Sequence, residues 1–199
     1  MPTFTSIRGV RYHFYLKGSR NMYEHVKTSF AGQIFEEKTF DHDQFIECCF
    51  ANAQLAFCSF KGCNFSLTTF EKCQLHEVRF EECKIVGGDF YLCEKRLFSI
   101  EMKGCKLQSC NFSGLKMKKT SFQGSFLNEC DFKETELIEG DFRDCDLAGT
   151  LFHQCNLSHA DFRGAMNYAV DPRTNTLTKG KFSIPEALSL LKGFDITLH

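Results

Sequence analysis

A large apolar residue recurs at every fifth position through most of this 199-residue chain. The first run goes from Phe30, Phe35 and Phe40 through Leu75 and Ile85 to Phe90. After a slip of two residues the pattern resumes at Leu97 and continues through Met102, Leu107 and Phe112 to Leu157 and Phe162. Of these 27 central residues 16 are Phe. Period five fits neither regular element. On a helix, five steps leave a drift of about 140°, so successive Phe residues could not share a core. On a strand, an odd period throws alternate Phe residues onto opposite faces. The period works only if each five-residue unit is a short extended piece plus a bend. The chain then winds round an axis with every fifth residue inward, and the units must stack to bury it.

The flanking positions agree. Two residues before most central residues lies something small, as at Cys48, Ala53, Cys58, Cys63, Thr68 and Cys73, and again at Cys105, Thr120, Ser125, Gly140 and Ala160. The residue just before the centre is usually polar, and Gly or a charged residue is common two after it. The unit reads small-in, polar-out, large-in, then two outward turn residues. Ala160-Asp161-Phe162-Arg163-Gly164 and Cys63-Asn64-Phe65-Ser66 carry it in its clearest form.

This unit resembles that of the pentapeptide-repeat family, over residues 28 to 164. The resemblance implies an all-β fold, a right-handed quadrilateral parallel β-helix with four repeats per coil and about seven coils. At ~4.8 Å per coil the rod would be roughly 30 Å long. The expected organisation is an N-terminal extension or cap over 1–27, the repeat β-helix over 28–165 with an interruption at 91–96, and a C-terminal loop, helix and tail over 166–199.

The two ends break the period. Residues 1 to 29 carry Arg8, Arg11, Lys17, Arg20 and Lys27 against Glu24, and read either as a cap on the first coil or as a partly disordered segment. After Gly164, Asn167 to Lys181 reads as a polar loop. Ser183 then looks like an N-cap, with Pro185 in the first turn and Glu186 at the capping-box position. Ala187, Leu188, Leu190 and Leu191 give one apolar side to an α-helix over about 184 to 192, which Gly193 ends. This module, from Asn167-Tyr168 to Phe194-Asp195-Ile196, resembles the C-terminal end of the gyrase-protecting subgroup, the Qnr-type quinolone-resistance and toxin-immunity proteins. That resemblance implies a homodimer joined at this end, with Ile184, Leu188, Leu190, Leu191, Phe194 and Ile196 as cap or dimer contacts. The longer loops of the Qnr proteins have no counterpart here.

Composition narrows the chemistry. Apolar content of 43% suits a continuous core, and no apolar run is long enough to span a membrane. A cytoplasmic location is the expectation, since no signal-peptide core stands near the N-terminus. Of 12 Cys, ten occupy the small inward slot, where a free thiol packs as a small hydrophobe. The Cys-x4-Cys spacing is the repeat period and is looser than zinc knuckles require. His153, Cys155 and His159 alternate in and out, so no metal and no cofactor is expected. There is no Gly-rich phosphate loop, no G-x-S-x-G and no H-E-x-x-H. The chain reads as a non-enzyme.

Charge is the informative surface property. The net charge is −1, but it is segregated. Residues 30 to 94 and 121 to 165 are each net −6, and residues 95 to 120 between them are net +6. The densest acidic stretch holds Glu129, Asp131, Glu134, Glu136, Glu139, Asp141, Asp144 and Asp146, with Asp161 one coil on. Outward carboxylates on a rod of DNA width can imitate phosphates and fill a DNA-binding groove. The resemblance implies DNA gyrase or topoisomerase IV as that partner, protected from quinolones or peptide toxins. The alternative is an interaction scaffold with an unrelated protein partner. The stacked Asp141/Asp161 and Arg143/Arg163 would neutralise part of the field. Direct nucleic-acid binding through Lys95, Arg96, Lys103, Lys106, Lys116, Lys118 and Lys119 is not expected, because those residues fall on different faces and the net charge is wrong for it.

Overall fold

The computed structural model describes residues 23–194 and 196. The expectations for residues 1–22 lie outside the described residues. From Glu24 onward the chain winds as a solenoid of short parallel strands, most of them two or three residues long. Every pairing between named strands is parallel. Residues 20 apart stack, as in Phe45 over Phe65 and Leu55 over Leu75. Backbone bonds run from coil to coil, for example from Cys49 N to Thr28 O at 3.0 Å and from Phe50 N to Thr69 O at 2.8 Å.

The rod has four sides, numbered here in the order the chain visits them. The first carries the longest sheet, six strands at 24–26, 44–46, 64–66, 84–86, 106–108 and 126–128. The second stacks Phe30, Phe50, Phe70, Phe90, Phe112, Phe132 and Phe152. The third runs through Phe35, Leu55 and Leu75 to Leu137 and Leu157. The fourth stacks Phe40, Phe60 and Phe80, then Met102, then Phe122, Phe142, Phe162 and Phe182. Along a side the rings lie nearly parallel, with centroids 4.9 Å apart for Phe112 and Phe132. Across the axis they meet edge to face, as do Phe122 and Phe132 at 5.5 Å. Both arrangements suit the ring quadrupole.

The bend between sides needs one residue per unit with positive φ. It is Gly at eight described positions and an ordinary residue at 21, such as Glu47 (φ 53°) and Glu134 (φ 57°). Left-handed backbone disfavours a side chain by about 1–2 kcal/mol. The coil-to-coil hydrogen bonds hold it there.

The small inward slot does more than fit. Thr68 Oγ1 donates to Phe45 O at 2.7 Å, Thr150 Oγ1 to Leu127 O at 2.8 Å, and Ser125 Oγ to Met102 O at 3.0 Å. Cys63, Cys83 and Cys145 direct Sγ–H at the carbonyls of Phe40, Phe60 and Phe122 in the same way. The slot residue thus supplies a donor to the carbonyl of a central residue one coil earlier. A purely apolar slot would leave that buried acceptor dependent on other donors. All twelve cysteines are free thiols, and Cys49 alone among them is not buried. Burial pushes Cys73 and Cys145 up to about 12.

Three expectations change. First, Leu97 is not an inward residue: it is 66% exposed at φ 62°, and Phe98 enters the core at 8%. The extra residues lie between Glu94, which bonds back to Cys73 O, and Ser99, which bonds back to Leu75 O. Absorbing them in a bend reverses which neighbour faces in, and the stacking step there becomes 22, as in Ile85 over Leu107. Second, the winding extends beyond the expected polar loop. Tyr168 and Val170 are buried, Asp161–Phe162 pairs with Lys181–Phe182, and the fourth side reaches eight levels. Third, the terminal helix is a 3-10 helix over Glu186–Gly193 and not an α-helix. Ser183 does not cap it: its Oγ accepts from Gly164 N at 2.9 Å, tying the end to the previous coil. The helix packs on the Ala169–Val170 strand.

Candidate partner-binding surface

Because each coil turns a full circle, consecutive acidic residues cannot share a face. Glu129, Glu134, Glu139 and Asp144 occupy the four corners, each with positive φ. Asp131, Glu136, Asp141 and Asp146 sit on the second, third, fourth and first sides respectively. The acidic stretch is therefore a ring round the rod. Asp161 stacks on Asp141, and these two come together with Glu139, Arg143, His159 and Lys181 along one shallow groove.

Five of the nine carboxylates are held by cations. Arg143 forks onto Asp141 with two bonds of 2.8 Å, and Arg163 onto Asp161 with bonds of 2.9 and 2.6 Å. These guanidinium hydrogen bonds hold both carboxyls below the usual carboxylate range. Lys181 stands 3.9 Å from Asp161. Glu136 meets Lys116 at 3.5 Å, Glu139 meets Lys118 and Lys119 at 3.5 and 3.6 Å, and Glu134 meets Lys133 at 3.7 Å. The basic stretch before the acidic coil thus lies one level away and partly cancels it. Spacing alone predicted the Asp–Arg pairing, since residues two apart on one strand share an outward face. The lysine pairing needed the 20-residue stack.

Four carboxylates have no ion-pair partner among the described residues: Glu129, Asp131, Asp144 and Asp146. Asp131 accepts from Lys133 N, and Asp146 from Ala148 N and Asn167 Nδ2. They form an arc from the fourth corner across the first side to the second side.

At the C-terminal end Leu190 packs against the core and Leu191 is half-buried. Ile184 is 86% exposed, and Leu188, Phe194 and Ile196 are about half exposed, so the cap presents apolar surface outward. Arg173 lies over the Phe194 ring at 5.9 Å, while its guanidinium hydrogen bonds lower Asp171 to about 2. Among the described residues no group of three His, Cys, Asp or Glu is placed to hold a metal ion, and no helix is long and apolar enough to cross a membrane.

Two family profiles match the chain, "Pentapeptide repeats (8 copies)" over residues 48–85 and "Pentapeptide repeat region" over 95–166. No curated protein matches it in sequence. Among solved structures it is similar to full-length QnrB1, described as a plasmid-mediated fluoroquinolone resistance protein, at 16% identity and a TM-score of 0.63, covering 87% of this chain and 100% of that one. A trypsin-treated QnrB1 variant gives 18% identity and a TM-score of 0.67, covering 88% and 94%. At these identities the likeness is one of fold alone.

Proposed function

The chain belongs to the pentapeptide-repeat family, and on that premise we propose that it is a non-enzymatic rod that binds DNA gyrase or topoisomerase IV in place of DNA and protects it from quinolones or peptide toxins. The observation that carries the reading is the fold likeness to a fluoroquinolone resistance protein over nearly the whole of both chains. In this reading the contact residues are the carboxylates free of cations, Glu129, Asp131, Asp144 and Asp146. The five ion-paired carboxylates contribute little field, since exposed pairs neutralise each other locally. The rod acts as a homodimer joined through Ile184, Leu188, Phe194 and Ile196, with Leu190 and Leu191 holding the cap to the core.

The test is a gyrase supercoiling assay with ciprofloxacin, with and without the protein. Restored supercoiling, lost when the four free carboxylates become Asn or Gln, is the expected result. The absence of both rescue and inhibition at micromolar protein sinks the reading. A second reading, an interaction scaffold for an unrelated protein, is favoured by the ring arrangement, which gives no single side a phosphate-like row of charge. It predicts no effect in the same assay and capture of a partner that does not handle DNA.

A further inference from the structure

The first side carries a charge pattern that the ion-pair network leaves unanswered. The outward residues just before each centre, read along the rod at successive levels, are Gln44, Asn64, Lys84, Lys106, Phe126, Asp146 and Met166. Lys84 and Lys106 are exposed direct neighbours on adjacent strands. Like charges in that position are destabilising. Neither takes part in an ion pair among the described residues, although the lysines of the third side do. Phe126 follows, 56% exposed, in an outward position that the repeat normally gives to a polar residue. Then come Asp146, with no cation, and Met166, half exposed.

The order is complementary to its own reverse. Lys106 stands one level before Phe126, and Asp146 one level after it. A two-fold axis lying along the Phe126–Asn128 strand, in the plane between two opposed first sides, turns the second rod antiparallel and keeps each column facing its own column. Lys106 then opposes the partner's Asp146, Phe126 opposes the partner's Phe126, and Lys84 lays its stem over the partner's Met166. This is the geometry of an isologous interface, in which one patch serves both copies. We propose that the first side is a self-association face and that its occupant is a second copy of this chain in that antiparallel register.

The apolar centre is one aromatic from each copy, worth most when stacked or edge-on. The charged pairs flank it and set the register. From Lys84 to Met166 the patch covers four steps of ~4.8 Å, so the buried area falls at the small end of specific interfaces. The association is accordingly weak and concentration-dependent. It is separate from the proposed C-terminal contact, which lies beyond the eighth level.

Sedimentation velocity from micromolar to near-millimolar protein tests it. The experiment is run in an Ile184→Asp, Leu188→Asp background, so that failure of the C-terminal contact does not affect the readout. A monomer–dimer equilibrium is expected. Phe126→Lys abolishes it without changing the circular dichroism spectrum. Lys106→Asp and Asp146→Lys each weaken it by about tenfold or more, and the double exchange restores it because it rebuilds the pair with signs reversed. A constant monomer mass at every concentration overturns the proposal. So does a double exchange that associates no better than the single variants.

Discussion

The third and first sides of the rod are built from the same repeat and treat their lysines in opposite ways. On the third side and its corner, Lys116, Lys118 and Lys119 lie one level from Glu136 and Glu139, and all three are paired. On the first side, Lys84 and Lys106 follow each other with no ion pair among the described residues, and Phe126 and Asp146 come next. One side is closed electrostatically within the molecule. The other holds its complementary charges two levels apart, where only a reversed second copy brings them together. A net charge summed along the chain hides this difference, because what matters is which residues are stacked.

Breaking the shared core removes both sides at once and has the largest expected effect. Phe132 is fully buried and stacks between Phe112 and Phe152. Phe132→Ser should cost about 3–5 kcal/mol, seen as a large drop in the denaturant midpoint. An unchanged midpoint would contradict the inward ladder. Next, Thr150→Val keeps the volume of the slot but removes the donor to Leu127 O, and should cost about 1–2 kcal/mol. Thermal melts of Thr150→Val and Thr150→Ser separate the lost hydrogen bond from a packing change, since Ser retains the hydroxyl.

The surface contrast predicts smaller effects. Glu139→Gln on the third-side corner should destabilise by under about 1 kcal/mol, and the loss should shrink in high salt. Lys106→Gln on the first side should leave the monomer's stability unchanged or slightly higher, because a like-charge neighbour is removed. A Lys106→Gln variant that melted lower than Glu139→Gln would erase the distinction between the two sides.

Acid titration probes the paired carboxylates directly. The folded-state values of Asp141 and Asp161 are depressed by Arg143 and Arg163. Their stabilisation is therefore complete above the unfolded carboxylate value of about 4 and is lost as pH falls through the lower folded values. The melting temperature should fall below about pH 4, and Asp141→Asn with Asp161→Asn should flatten that limb. The smallest signal is chemical. A thiol reagent should label Cys49 quickly in the native rod and the other eleven cysteines only on unfolding, because burial closes them off from the reagent. Rapid labelling of several thiols would mean that the coils open.

Much of the core was legible in the chain, and its failures have identifiable causes. The fifth-residue ladder located nearly every buried Phe and Leu because a stacked solenoid repeats one environment, so each repeat is a further sample of the same rule. It failed at Leu97, where two inserted residues changed the inward neighbour. It stopped too early at Gly164, because the last coil keeps the winding through Tyr168, Val170 and Phe182 without keeping the consensus. The Cys and Thr slots were read as small, and their role as donors to the coil below required knowing which carbonyl lies 23 residues back. The acidic stretch was legible as charge, but four bends per coil distribute it over four sides, and that decides which of its carboxylates meet a cation.

The sequence by itself determined that this chain must stack to bury its ladder, which residues form most of the core, and that chemistry is confined to what faces outward. A period of five excludes every isolated element, so that conclusion needs no partner residue. Only the tertiary structure decided which outward charges meet. Neighbours across coils are 20 residues apart in most of the rod, 22 across the inserted residues and 18 where Leu151–Phe152 meets Ala169–Val170. A charge is cancelled or left free by what lies within a few ångströms of it in the next coil.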